Sequence, residues 1–117
     1  MSVWEELRYF KRQEFEWPEK MDHDFLRMLD ELRHRAGVPM YVSSDYRNDP
    51  SSAHGHGVAV DVVDDEDSDG ISSQWRYAVM KAAYGLGIPR IGDYDKHIHI
   101  DAWVGGPQGV EWRGVSA

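Results

Sequence analysis

The chain contains no cysteine. Disulfides and thiolate metal sites are therefore both excluded, and any metal must be held by nitrogen and oxygen. Cations are scarce too: 13 Lys and Arg stand against 21 Asp and Glu, a formal net charge of −8. Gripping a phosphate backbone needs clustered Lys and Arg, so no nucleic-acid partner is expected. No run approaches the ~20 apolar residues of a membrane span, and no membrane partner is expected either. The first residues, Met1-Ser2-Val3-Trp4-Glu5-Glu6-Leu7-Arg8, lack the apolar core of a secretory signal. Synthesis in the cytoplasm is the expectation, and action outside it would need another way out.

What is present is enough chain for one domain. A length of 117 residues predicts a single unit over 1–117, expected as a monomer. Such a domain buries about 65% of the surface its unfolded chain exposes, enough for one core without staples. Five Trp and six Tyr are many for this length. Most are expected in core and edge packing, with some lining a groove. Residues 3–17 alternate charges with Trp4, Leu7, Tyr9, Phe10, Phe15 and Trp17. This arm is expected to pack across the domain, because so many aromatics would not all stay solvated.

Two segments carry helical periodicity. Over 22–36, Phe25, Met28 or Leu29, Leu32 and Ala36 recur on one face, with Asp22 as cap and Gly37 as stop. Over 72–86, Trp75, Val79, Ala82 or Ala83 and Leu86 do the same, with Ser72 or Ser73 as cap and Gly85 or Gly87 as stop. His23 and His34, at opposite ends of the first helix, read as surface or capping residues. Strands are predicted over 40–44, 58–63 and 97–103, with a short edge strand over 88–92. Residues 45–50 and 93–96 read as loops. Asp64, Asp65, Glu66, Asp67 and Asp69 lack the order of a calcium loop and read as a solvated turn. The glycine-rich tail from Gly105 is expected to fray, although Val110, Trp112 and Val115 could anchor part of it. The fold class is α+β: a small antiparallel sheet, carrying a metal site, packed against two main helices.

The chemistry lies in two segments. Ser52-Ala53-His54-Gly55-His56-Gly57-Val58-Ala59-Val60-Asp61 offers an imidazole and a carboxylate, separated by a glycine-rich bend and a short strand. His97-Ile98-His99-Ile100-Asp101 offers alternating imidazoles on another strand. Strand side chains alternate, so His97, His99 and Asp101 share one face while Ile98 and Ile100 take the other. Asp61 likewise shares a face with Ala59 and Val63, where an unpaired charge is costly and a metal would partner it. If the two strands are neighbours, and Gly55 and Gly57 let the loop fold back, then His54, Asp61 and His99 can reach one ion. Two imidazoles and one carboxylate suit zinc with water in the fourth position; ligand type alone leaves iron and manganese open. One His-x-His pair would more often be solvated, but two segments with complementary ligands outweigh that reading. Two other metal patterns fail. Val58 and Ala59 stand where a metallo-β-lactamase His-x-His-x-Asp-His motif needs Asp and His, and the helical His-Glu-x-x-His is absent.

Ser52-x-His54-x-x-Gly57-x-Ala59-x-Asp61 resembles the Ser-x-His-x-x-Gly-x-Ala-x-Asp signature of the zinc D-alanyl-D-alanine carboxypeptidases and L-alanyl-D-glutamate endopeptidases. These peptidoglycan peptidases share a fold with the hedgehog signalling domain. The resemblance extends to Phe10-Lys11-Arg12-Gln13-Glu14-Phe15, to Val38-Pro39 through Ser43-Ser44-Asp45-Tyr46-Arg47, and to His97-Ile98-His99-Ile100-Asp101. It implies one zinc per chain on His54, Asp61 and His99, with a peptidoglycan stem peptide as substrate. It also implies that Arg47 holds the substrate carboxylate or the tetrahedral intermediate, with Tyr46 and Ser52 as further substrate-binding residues. Many members carry a glutamate base three residues before the third ligand, where this chain has Lys96. Others have a histidine two residues before it, which makes His97 the expected acid/base and Asp95 the alternative. The small size and missing leader suggest a phage-type lysis enzyme acting on the cell wall. The rival expectation is a non-catalytic zinc-binding module serving structure or partner recognition, which the Lys96 departure favours.

Overall fold

The structure is a computed structural model that describes residues 2–65 and 70–116. Both periodic segments are helices. After a short α1 (Val3–Glu6), α2 spans His23–Ala36 and α3 spans Ser73–Leu86. Their starts follow from side-chain caps: Asp22 accepts from the Phe25 N–H at 2.9 Å and Ser72 from the Trp75 N–H at 3.2 Å. Gly37 and Gly87, both left-handed, end them. The buried face of α2 carries Phe25, Leu26, Leu29 and Leu32, and also Asp30. That carboxylate accepts the backbone N–H groups of Arg8, Tyr9 and Phe10 at 3.0, 2.9 and 3.3 Å. It ties the N-terminal arm down, so that Val3, Leu7, Phe10 and Phe15 join the core as the aromatic content predicts. No helix among the described residues is long and apolar enough to cross a membrane.

The sheet has five strands: β1 (Tyr41–Ser44), β2 (Ala59–Val63), β3 (Arg90–Tyr94), β4 (Ile98–Asp101) and β5 (Val110–Gly114). Their order is β1-β2-β4-β3-β5. All pairs are antiparallel except β3 with β5, which is parallel. The expectation of an antiparallel sheet is therefore corrected to a mixed one. Two further expectations fall with it. The tail does not fray but returns as β5, and β3 is not an edge strand, because β5 covers its free side. The turn predicted over 93–96 is correspondingly shorter, since Asp93 and Tyr94 belong to β3. Of the acidic run, Asp64 accepts the Ser72 N–H at 3.0 Å; Glu66, Asp67 and Asp69 lie outside the described residues.

Alternation divides the sheet's two faces by chemistry. Val60, Val62, Ile98 and Ile100 are fully buried in the core with Leu26, Leu29, Val79 and Ala83 from the helices. Burying such a side chain stabilises by about 1.5–3 kcal/mol, so this face fixes the register. The register in turn aligns a row across all five strands: Ser44, Asp61, His99, Gly92 and Trp112. Gly92 leaves a gap in that row. A Cβ there would lie 2.8 Å from the Trp112 ring, which instead lies over the glycine and meets the His99 ring at 5.3 Å.

Candidate metal centre

Asp61 and His99 are direct cross-strand partners, and both are buried. His99 Nδ1 lies 3.0 Å from Asp61 Oδ1. His54 arrives from a 3-10 turn, Ala53–His56, that Ser52 caps and Gly57 closes. The turn's path depends on Gly57, whose φ is +69° and where a Cβ would lie 2.0 Å from the Lys20 carbonyl oxygen. His54 Nδ1 donates to the Asp45 carbonyl at 2.6 Å, which turns Nε2 toward Asp61 Oδ1 at 3.6 Å. A backbone carbonyl only accepts, so Nδ1 of His54 carries a proton and Nε2 is the nitrogen that faces the metal position.

One donor atom each from His54, Asp61 and His99 lies within 4.8 Å of the other two. Ligands about 2.1 Å from a tetrahedral zinc stand roughly 3.4 Å apart, and His99 Nδ1 and His54 Nε2, 3.0 and 3.6 Å from Asp61 Oδ1, are close to that spacing. The donor set is chemically suited to a divalent metal, and all three members are buried. Electrostatics agree. Burial would push the Asp61 carboxyl up, but the His54 and His99 rings outweigh it and hold it well below the usual carboxylate range. Burial also disfavours a charged His99, yet its hydrogen bonds to Asp101 and Asp61 raise its pKa above the ordinary histidine value. Histidine protons and carboxylate charge are thus concentrated where a cation can replace the protons.

The three residues line a cavity of about 370 Å³ that also includes Arg47, Ser52 and His97. Arg47 is held by Ser44 Oγ, and its Nη2 donates to Asp61 Oδ2 at 3.1 Å. His97 precedes β4, stacks on Tyr94 and binds Ser116 Oγ through Nδ1 at 2.9 Å. Its Nε2 therefore points inward, 3.9 Å from Asp61 Oδ2. Burial lowers the His97 pKa, an effect the Asp61 charge partly offsets. Ser52 meets the cavity, and its hydroxyl accepts the His54 N–H at 3.2 Å.

Two expected site residues lie elsewhere. Tyr46 lines a neighbouring cavity of about 300 Å³ with Trp17, Lys20 and Asn48. Asp95 is in the exposed turn after β3, where it accepts the Ser116 N–H at 2.5 Å. His56 also turns away: it contacts the Pro50 carbonyl and stacks on Trp103. The wall of the cavity is completed by Tyr94, Trp112, Val115 and Ser116. None of these four was expected in the site: Tyr94 was read as part of a turn, and the tail that carries the other three was expected to fray. Asp101 was legible as a neighbour of His99 by alternation, but its contact with the ring was not. No family model matches the chain, and neither does any curated protein or solved structure.

Proposed function

We propose that this protein is a zinc-dependent peptidase that hydrolyses amide bonds in peptidoglycan stem peptides, of the D-Ala-D-Ala carboxypeptidase or L-Ala-D-Glu endopeptidase type. The observation that carries this reading is a group of three donors, His54, Asp61 and His99, at a cavity that also presents Arg47 and His97. Three protein donors leave a fourth position for substrate chemistry, as catalytic zinc sites do. Bound zinc would supply a polarised carbonyl and a water acidic enough to attack it near neutral pH.

The chain's own groups supply the rest. Arg47, whose side chain is 54% exposed, offers a planar cation for a stem peptide's carboxylate and for the oxyanion that develops during attack. Burial disfavours a charged His97, Nδ1 is occupied by Ser116, and Nε2 faces the cavity. That nitrogen can take the attacking water's proton and return it to the leaving amine. Lys96 replaces the glutamate that the related signature pairs with this chemistry, so His97 is the base of this reading. The same replacement favours the second reading, a non-catalytic metal-binding module.

Digestion of purified peptidoglycan by zinc-loaded wild type and by His99→Ala, read by mass spectrometry of the released fragments, separates the two. New amino termini or released D-Ala from the wild type alone would support the peptidase and name the bond. A tightly bound zinc with no cleavage across several wall types would leave the module.

A further inference from the structure

Beneath the metal-facing side of His99 lies a buried polar cluster that no step above uses. Asp101 is wholly buried, with Oδ2 2.6 Å from His99 Nε2. Its other oxygen is doubly engaged: Oδ1 accepts from Arg90 Nε at 2.7 Å and from the Trp103 N–H at 2.9 Å. Arg90 is the direct cross-strand partner of Asp101. Its guanidinium lies over the Trp103 and Trp112 rings, 5.7 and 5.2 Å from their centroids, and donates to the Pro107 carbonyl at 2.8 Å. The carboxylate is thus clamped in rotation, and only Oδ2 remains for the imidazole.

We infer that Asp101, locked by Arg90 and the Trp103 N–H, is a positioning residue that sets the tautomer of His99. Paired with Arg90, the carboxylate accepts and does not donate, so it draws the ring proton to Nε2. The lone pair is left on Nδ1, the nitrogen that faces Asp61 and the metal position. Asp61 competes for the proton from the other side, but at 3.0 Å it is the more distant acceptor. His54 is set in the complementary sense by the Asp45 carbonyl, so the two imidazoles present opposite ring nitrogens to one point.

Asp101→Asn tests this with almost no change of shape. Two donors face Oδ1, so the amide oxygen must stay there and the NH₂ must face His99. Nε2 would then have to accept, and the proton would move to Nδ1, where Asp61 stabilises it and a metal cannot bind. The inference rests on the metal reading only for its affinity arm. Long-range proton–nitrogen NMR of metal-free wild type at about pH 9, above the ordinary imidazole range, reads the neutral tautomer directly. The expected result is His99 protonated on Nε2 in wild type and on Nδ1 in Asp101→Asn. Zinc affinity, by competition with a chromophoric chelator, should fall roughly 10–100-fold in Asp101→Asn. Asp30→Asn, at a buried carboxylate under the N-terminal arm, should leave it unchanged.

A wild-type His99 with its proton on Nδ1 would overturn the inference whether or not the variant folds. So would an Asp101→Asn protein that binds zinc within twofold of wild type. Wild type with the Nε2–H tautomer but no zinc affinity would sink the metal reading and leave the tautomer assignment standing.

Discussion

Replacing Gly57 by alanine should cost this protein far more than the same change at Gly37, although their backbones are nearly identical. Both residues are left-handed, with φ of +69° and +66°. A Cβ in that conformation costs about 1–2 kcal/mol. Both variants also share the same restriction of the unfolded chain, which cancels in the comparison. They differ in what the new methyl meets. At Gly37 there is nothing within 4 Å, whereas at Gly57 the methyl would lie 2.0 Å from the Lys20 carbonyl oxygen, where 3.4 Å is ordinary contact. Two backbone segments must therefore separate by well over an ångström, a strain of about 1–3 kcal/mol. The bond from Asp22 N–H to the Gly57 carbonyl, 2.9 Å long, is the contact most exposed to that movement, and its loss adds about 1 kcal/mol. The expected cost is about 3–6 kcal/mol for Gly57→Ala and about 1–2 kcal/mol for Gly37→Ala. Parallel urea titrations of the metal-free proteins would measure both. Because the displaced turn delivers His54, Gly57→Ala should also weaken zinc binding, and Gly37→Ala should not. Equal destabilisation of the two variants, within about 0.5 kcal/mol, would refute the close approach on which the reasoning depends.

Asp30→Ala should destabilise by about 3 kcal/mol, since it orphans three backbone donors under the N-terminal arm. Limited proteolysis should then cut within residues 2–20 first, and an arm as resistant as in wild type would count against the tie. Gly92→Ala should push the Trp112 ring off His99 at a cost of about 1 kcal/mol, seen as an altered near-ultraviolet circular dichroism spectrum over an unchanged far-ultraviolet one. An unchanged aromatic spectrum would mean that the ring does not need the gap. The metal-free protein should be most stable between about pH 4 and 6.5, as far as Asp61 and His99 decide it. Asp61 is depressed, so its contribution is present above the unfolded carboxylate value and is lost as pH falls through the folded one. His99 is raised, so its contribution is complete below the unfolded histidine value and is lost as pH rises through the folded one. Identical stability slopes for wild type and His99→Ala above about pH 6.5 would contradict the second statement. Zinc needs the deprotonated ring, so binding should release protons and tighten as pH rises. Calorimetry in two buffers of different ionisation enthalpy measures that release.

The sequence by itself determined both helices, the caps of the first, the core strands, and the pairing of His54, Asp61 and His99. Each of these is written locally: helices in three- and four-residue spacing, caps in Asp22 and Gly37, and the site in alternation along two short strands. Alternation puts Asp61 and His99 opposite the core valines and isoleucines whichever strand lies beside them. Only the tertiary structure decided that the tail returns as β5, parallel to β3, and brings Trp112, Val115 and Ser116 to the cavity. That pairing joins residues about twenty apart with little hydrophobic patterning, and it depends on the gap at Gly92, which a one-dimensional pattern does not show. The same holds for polar partners. Tyr46 adjoins Arg47 in the chain yet turns to Trp17, and Asp101 reaches His99 because Arg90 and the Trp103 N–H clamp it from two sides. A side chain's role as ligand is set by its own chemistry and its place on a strand. Its orientation is set by neighbours that arrive from elsewhere in the fold.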